Sequence, residues 1–170
     1  RHGFVRDVKF ELVKESNDYL SFLYKSNENT IKMFPFKFEL FINYKLNKNN
    51  LKIEYFLKNH SKEKMFYNLG GHTAYNFDIS NGDKYIEFEE KEKISSAKFD
   101  LKTGLRLPDK FELLNNENTL KMSFDLFKHD TLLLPSLKSN YIILKDDLKK
   151  DYIKIEFSEF ENLAIWTPNA

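Results

Sequence analysis

The sequence predicts an all-β fold, a large antiparallel β-sandwich formed as one domain over residues 1–170. Three observations carry this expectation. Apolar side chains recur at every second position over long stretches. Clusters of Asn, Asp, Gly and Lys separate those stretches. No segment holds a helical period of adequate length. Successive strand side chains point to opposite faces, so many alternating runs broken by turn residues describe a sandwich or barrel.

The elements follow in order. Residues 18–25 predict a short strand through Tyr19-Leu20-Ser21-Phe22-Leu23-Tyr24, which passes by way of Ser26-Asn27-Glu28-Asn29 into the next. There Phe36, Phe38, Leu40, Ile42, Tyr44 and Leu46 alternate with Lys37, Glu39, Asn43 and Lys45, and only Phe41 interrupts the polar side. A polar turn, Asn47-Lys48-Asn49-Asn50, leads into Leu51, Ile53, Tyr55 and Leu57, alternating with Lys52, Glu54 and Lys58. The two runs predict a hairpin of long antiparallel strands with one wet face. Residues 65–69, 85–89, 120–124, 140–144 and 152–157 predict further strands. One short helical turn fits within 126–134. No repeat, linker or low-complexity tract divides the chain.

Composition narrows the function. At 41% hydrophobic and 31% charged residues, the chain has the make-up of a folded protein with a substantial core. A net charge of +1 argues against nucleic acid as a partner, since phosphate-tracking proteins concentrate excess Lys and Arg. The lysines of 145–150 are offset by Asp146 and Asp147. Cysteine is absent, which excludes disulfide and thiol chemistry and points to a reducing cytoplasm. No apolar run approaches the roughly 20 residues that cross a bilayer, so no membrane partner is expected. The chain opens at Arg1 rather than Met, and its natural start is expected to lie upstream.

Candidate chemistry is sparse. Two of only five glycines are adjacent, in Asn68-Leu69-Gly70-Gly71-His72-Thr73-Ala74-Tyr75-Asn76. The pair fits a bulge, or a place where something nears the backbone with His72 presented by a site, or a tight turn with an incidental histidine. Arginine is rare, three against 24 lysines, and two of the three flank Arg1-His2-Gly3-Phe4-Val5-Arg6-Asp7. A planar guanidinium there can fix hydroxyls, carboxylates or phosphates, or belong to an ordinary surface loop. His60 follows a strand and is expected in a solvated turn. In Phe127-Lys128-His129-Asp130, Asp130 can bind a substrate hydroxyl or cap the next segment. No histidine pair shows metal-ligand spacing, so no metal is expected. No P-loop, dinucleotide fingerprint or serine-hydrolase elbow occurs. Tyr75, Phe77 and Trp166 are aromatics able to stack on a sugar ring if exposed.

Taken together, these segments resemble the aldose 1-epimerase (galactose mutarotase-like) family. The run from Arg1 to Asp7 is similar to its "HGFAR" segment. Met33-Phe34-Pro35-Phe36 fits an aromatic-Pro-Phe segment before a long hairpin. Gly70-Gly71-His72-Thr73-Ala74-Tyr75-Asn76 is similar to "GGHPAFN", with Thr73 for the usual Pro and Tyr75 for the usual Phe. Phe127-Lys128-His129-Asp130-Thr131-Leu132 resembles "F-x-x-D-A-L", and Leu163-Ala164-Ile165-Trp166 resembles "LGIW". Order and spacing agree along all 170 residues. The resemblance implies the galactose mutarotase-like β-supersandwich and a mutarotase that interconverts the anomers of a free hexose without a cofactor. It implies His72 as general acid, His2 as a substrate-binding histidine near the same ring oxygen, and Asp130 as a hydroxyl ligand; Arg6 is a candidate for holding substrate, above all a sugar phosphate. Hexose-6-phosphate epimerization and non-catalytic carbohydrate binding are the alternatives. The family's catalytic Glu lies in an "IEPW"-like motif that this sequence does not contain. The 170 residues alone are therefore expected to lack both ends of the fold and to show little activity.

Overall fold

Most of the alternating runs become strands in a computed structural model, which describes residues 2–147 and 150–168. The chain divides into two compact units, Arg1–Leu69 and Gly70–Ala170.

The first unit is built on one antiparallel sheet of four strands in sequential order, β1 (Glu11–Ser16), β2 (Tyr19–Lys25), β3 (Phe38–Asn47) and β4 (Asn50–Asn59). The predicted hairpin is β3–β4, in unbroken register from Phe38↔Asn59 to Asn47↔Asn50. Lys48 takes φ 53° in its two-residue turn, a left-handed conformation that matches the twist of tight hairpins. One sheet face buries Tyr24, Phe38 and Leu40, and onto it pack Phe4, Phe10, Phe34 and Leu57. The polar side is broken by Phe41, which pairs with the exposed Phe56 at a ring separation of 6.2 Å.

Three features of this unit depart from the sequence reading. β1 has no burial alternation, every residue being exposed, so it carries no period-two signal. A six-residue helix, α1 (Glu28–Met33), replaces the expected polar connection. It is fixed by a capping box rather than by an apolar face: Asn27 Oδ1 accepts from the Asn29 and Thr30 N–H groups, and Thr30 Oγ1 accepts from the Asn27 N–H. The strand expected at 65–69 does not form. Met65 and Leu69 are apolar because they pack on the β-sheet core, not because they sit in a ladder.

His60 lies just beyond β4, part-exposed as expected, with its Nε2 3.1 Å from Glu39 Oε2. That hydrogen bond, with Lys25 adding to it, holds the Glu39 carboxyl below the ordinary glutamate range.

The second unit contains a four-stranded antiparallel sheet in the order β6-β5-β8-β9 and a two-stranded ribbon. The sheet strands are β5 (Tyr85–Phe99), β6 (Arg106–Lys121), β8 (Tyr141–Asp147) and β9 (Lys150–Glu156); the ribbon pairs β7 (Leu132–Pro135) with β10 (Asn162–Ile165). β5 and β6 extend well beyond the runs 85–89 and 120–124. β6 ends at Lys121, and Phe124–Phe127 forms a 3-10 turn instead of strand, so the short turn expected within 126–134 begins earlier and gives way to β7. Residues on the inner faces, led by Phe88, Ile86, Leu132 and Leu134, form one continuous core. The charges near residue 145 are compensated largely by partners outside that run: Lys145 by Glu87 at 2.9 Å and Asp151 at 3.4 Å, and Asp146 by Lys84, while Lys150 lies 4.0 Å from Asp146.

The regular β5–β6 ladder breaks between Glu87 and Glu92. There Glu92, only 3% exposed, turns its carboxylate onto the connection between β7 and β8. Its Oε1 accepts from the Lys138 N–H (3.0 Å), the Ser139 N–H (2.9 Å) and the Ser139 hydroxyl (2.7 Å). A buried carboxylate is tolerated because those donors replace its water.

Two outcomes follow. Glu92→Ala leaves three donors without an acceptor and should lower unfolding free energy by about 3 kcal/mol, read by denaturant titration. The depressed Glu39 pKa contributes stability above its unfolded value near about 4.3, lost as pH falls through the lower folded value. Acid unfolding of Glu39→Gln should therefore show a shallower loss of stability in that window than the parent, and identical curves would remove this pair from the acid response.

Candidate functional site

Residues 66–77 contain no regular secondary structure, and His72 lies exposed within them. A Cβ placed on Gly70 would meet no atom within 4 Å, and residues 70–71 lie in no strand, so the expected bulge does not form. The segment is anchored downstream. Phe77 packs on the second unit's core and lies 5.8 Å from the Tyr152 ring. Asp78 Oδ1 then accepts from the Ser80 N–H and hydroxyl and closes a tight turn. Tyr75 is 40% exposed, and partial burial raises its phenol pKa while a bond with Thr73 opposes that rise. An imidazole on such a segment has the solvent access that proton transfer to a ligand requires.

Asp130 lies in the same unit, where the 3-10 turn at Phe124–Phe127 meets β7. Its N–H donates to the Phe127 carbonyl at 2.8 Å, and its φ is 74°. A non-glycine residue pays for that conformation in strain, and Asp is among the residue types that adopt it most readily. The turn is set by β7, whose Leu132 and Leu134 have no exposed surface. β7 pairs with β10 in the register Leu132↔Ile165, Leu133↔Ala164 and Leu134↔Leu163. The ribbon thus joins two segments singled out in the sequence. Trp166, 55% exposed, follows Ile165 at the end of the ribbon where Thr131 and Asp130 precede Leu132. The ring of His129 packs against Phe111 of β6 at 5.5 Å. Neither Phe111 nor this contact is signalled by any local motif.

In the first unit, Arg6 lies within the 3-10 turn Phe4–Asp7 and His2 precedes that turn. Arg6 grips its neighbour Asp7 with two bonds, Nε to Oδ1 at 3.1 Å and Nη2 to Oδ2 at 3.2 Å. Arg6 holds the Asp7 carboxyl below the ordinary range, and the charge of His2 adds a smaller pull. Glu159 and Glu161 are exposed in the loop after β9, in keeping with a solvated role. Among the described residues no cluster of His, Asp or Glu could hold a metal ion. No described helix is long and apolar enough to cross a membrane.

The architecture defines an antiparallel β protein of the galactose mutarotase-like type. It superposes on a galactose mutarotase-like protein from Lactobacillus casei with a TM-score of 0.76 at 22% identity, over 99% of this chain and 59% of that one. A galactose mutarotase related enzyme from Lactobacillus acidophilus gives 0.73 at 26% identity, over 99% and 58%. The aldose 1-epimerase family model matches residues 1–170, and the chain belongs to that family. The plasmid and chromosomal LacX proteins of Lactococcus lactis subsp. lactis are each 34% identical over 173 residues. That alignment covers 98% of this chain, which spans 58% of the length of either relative.

Proposed function

We propose that the full-length protein is an aldose 1-epimerase-type isomerase that interconverts the α and β anomers of a free hexose. The reaction needs one group to take the proton of the C1 hydroxyl and another to protonate the ring oxygen. The ring opens, the C1–C2 bond turns, and closure on the other carbonyl face gives the second anomer. Acid and base groups working near neutral pH suffice, with no cofactor. In this reading His72 is the general acid, His2 and Asp130 hold the sugar, and Arg6 contributes a further polar contact. Family membership over the whole chain supports the reaction class. The observation that carries the assignment of His72 is its exposure on an irregular segment, where a substrate can reach it. The absence of cysteine suits work in the reducing cytoplasm.

A free hexose is favoured over a hexose 6-phosphate by the state of Arg6. Its donor fork is engaged by Asp7, so a phosphate would have to displace a carboxylate already in place.

Polarimetry on the full-length protein tests both points. Mutarotation of glucose or galactose should be accelerated, and more so than that of glucose 6-phosphate. His72→Asn should lower the rate by roughly 100- to 10,000-fold with unchanged circular dichroism. An undiminished rate in that variant would exclude His72 from the chemistry. Saturable hexose binding with no acceleration in the parent protein would instead indicate a carbohydrate-binding β-sandwich without catalysis.

A further inference from the structure

We propose that Ser96 and Phe111, a facing pair on β5 and β6, are positioning residues that hold Asp130 in its sugar-binding geometry. The inference rests on the reading of Asp130 as a hydroxyl ligand. Directly opposed residues of an antiparallel pair project to the same face, and Ser96 and Phe111 are such a pair. They grip the Asp130 turn from its two sides in sequence. Upstream, the Phe111 ring lies against His129, the residue before Asp130. Downstream, the Ser96 hydroxyl accepts the Leu133 N–H at 2.9 Å and donates to the Ala97 carbonyl at 3.2 Å. Ser96 has no exposed surface, so no water can replace it as acceptor.

The need for such a clamp comes from the backbone. Asp130 sits at φ 74°, outside the wells that a side-chain-bearing residue prefers. Strained conformations persist only where the surroundings over-determine them. The Phe127 carbonyl fixes the Asp130 N–H, and Leu132 is fully buried. Between those points, the ring contact at 129 and the hydroxyl at 133 set where the carboxylate stands. Loss of either anchor lets the turn relax and moves the carboxylate, while a proton-transfer group elsewhere is untouched. The signature is therefore a change in KM with little change in kcat.

The test is a mutant cycle in the full-length protein, assayed by polarimetry with glucose and with galactose. Asp130→Ala should raise KM by about 3- to 10-fold, the worth of one hydroxyl contact. Ser96→Ala and Phe111→Leu should each raise KM by about 2- to 5-fold and leave kcat within about twofold. In the Asp130→Ala background, either substitution should add less than about 1.5-fold, because the group it positions is gone. Full additivity in that background, or an unchanged KM in both single variants, would overturn the clamp while leaving Asp130 as a ligand. An unchanged KM in Asp130→Ala would overturn the ligand reading itself, and the clamp with it. Phe111→Leu breaks no hydrogen bond, so it decides the matter if Ser96→Ala does not fold.

Discussion

The second unit depends on the burial of β7. This strand has only four residues, yet two of them are fully sequestered and one backbone N–H is taken by a serine hydroxyl from β5. Pairing with β10 is too short to hold the strand alone; an isolated two-stranded ribbon is marginal in water. Seating its leucines in the core shared with Phe88, Ile86 and Ile142 supplies the rest. Once β7 is fixed, the turn before it, the ribbon partner after it and the connection held by Glu92 have little freedom left. The residues singled out at 127–132 and 163–166 come together through this strand.

Both units carry exposed ion pairs and buried polar groups that are hydrogen-bonded, Ser21 and Thr30 among the latter in the first. In the first, charges lie on the wet face of the sheet, where Lys45 and Lys52 both bind Glu54 and Lys25 and His60 both bind Glu39. Such exposed pairs contribute little individually and are weakened by salt. In the second, Glu92, Ser96 and Ser139 are buried, and each is met by hydrogen-bonding partners. Buried polar networks specify position rather than add bulk stability. In the second unit the Ser96 hydroxyl fixes β7 and the Glu92 carboxylate fixes the connection that follows it.

Much of this architecture is legible in the sequence, for identifiable reasons. β2, β3, β4, β8 and β9 announce themselves because one of their faces is wetter than the other, or because a β-rich run ends at turn residues. β1 is silent because every side chain in it is exposed. α1 is silent because six residues are too few to display a helical period, and it is fixed by the Asn27–Thr30 capping box. Residues 65–69 mislead because apolar side chains on a loop that covers a core mimic a strand. Of the proposed site, His72, His2 and Asp130 are legible through motif resemblance and Arg6 through the scarcity of arginine. Ser96 and Phe111 are not, since a buried serine and a half-buried aromatic in long strands look like any others until the pairing is known.

A role for His72 in sugar chemistry requires its exposed imidazole to meet the bound hexose. The most direct measurement is NMR of the full-length protein labelled in its histidine side chains, titrated with a free hexose. The His72 ring resonances should move with a saturable dependence on sugar concentration, while those of His60, beside Glu39, stay in place. Ring resonances of His72 that remain unmoved at a hexose concentration that saturates the protein by another probe would contradict it.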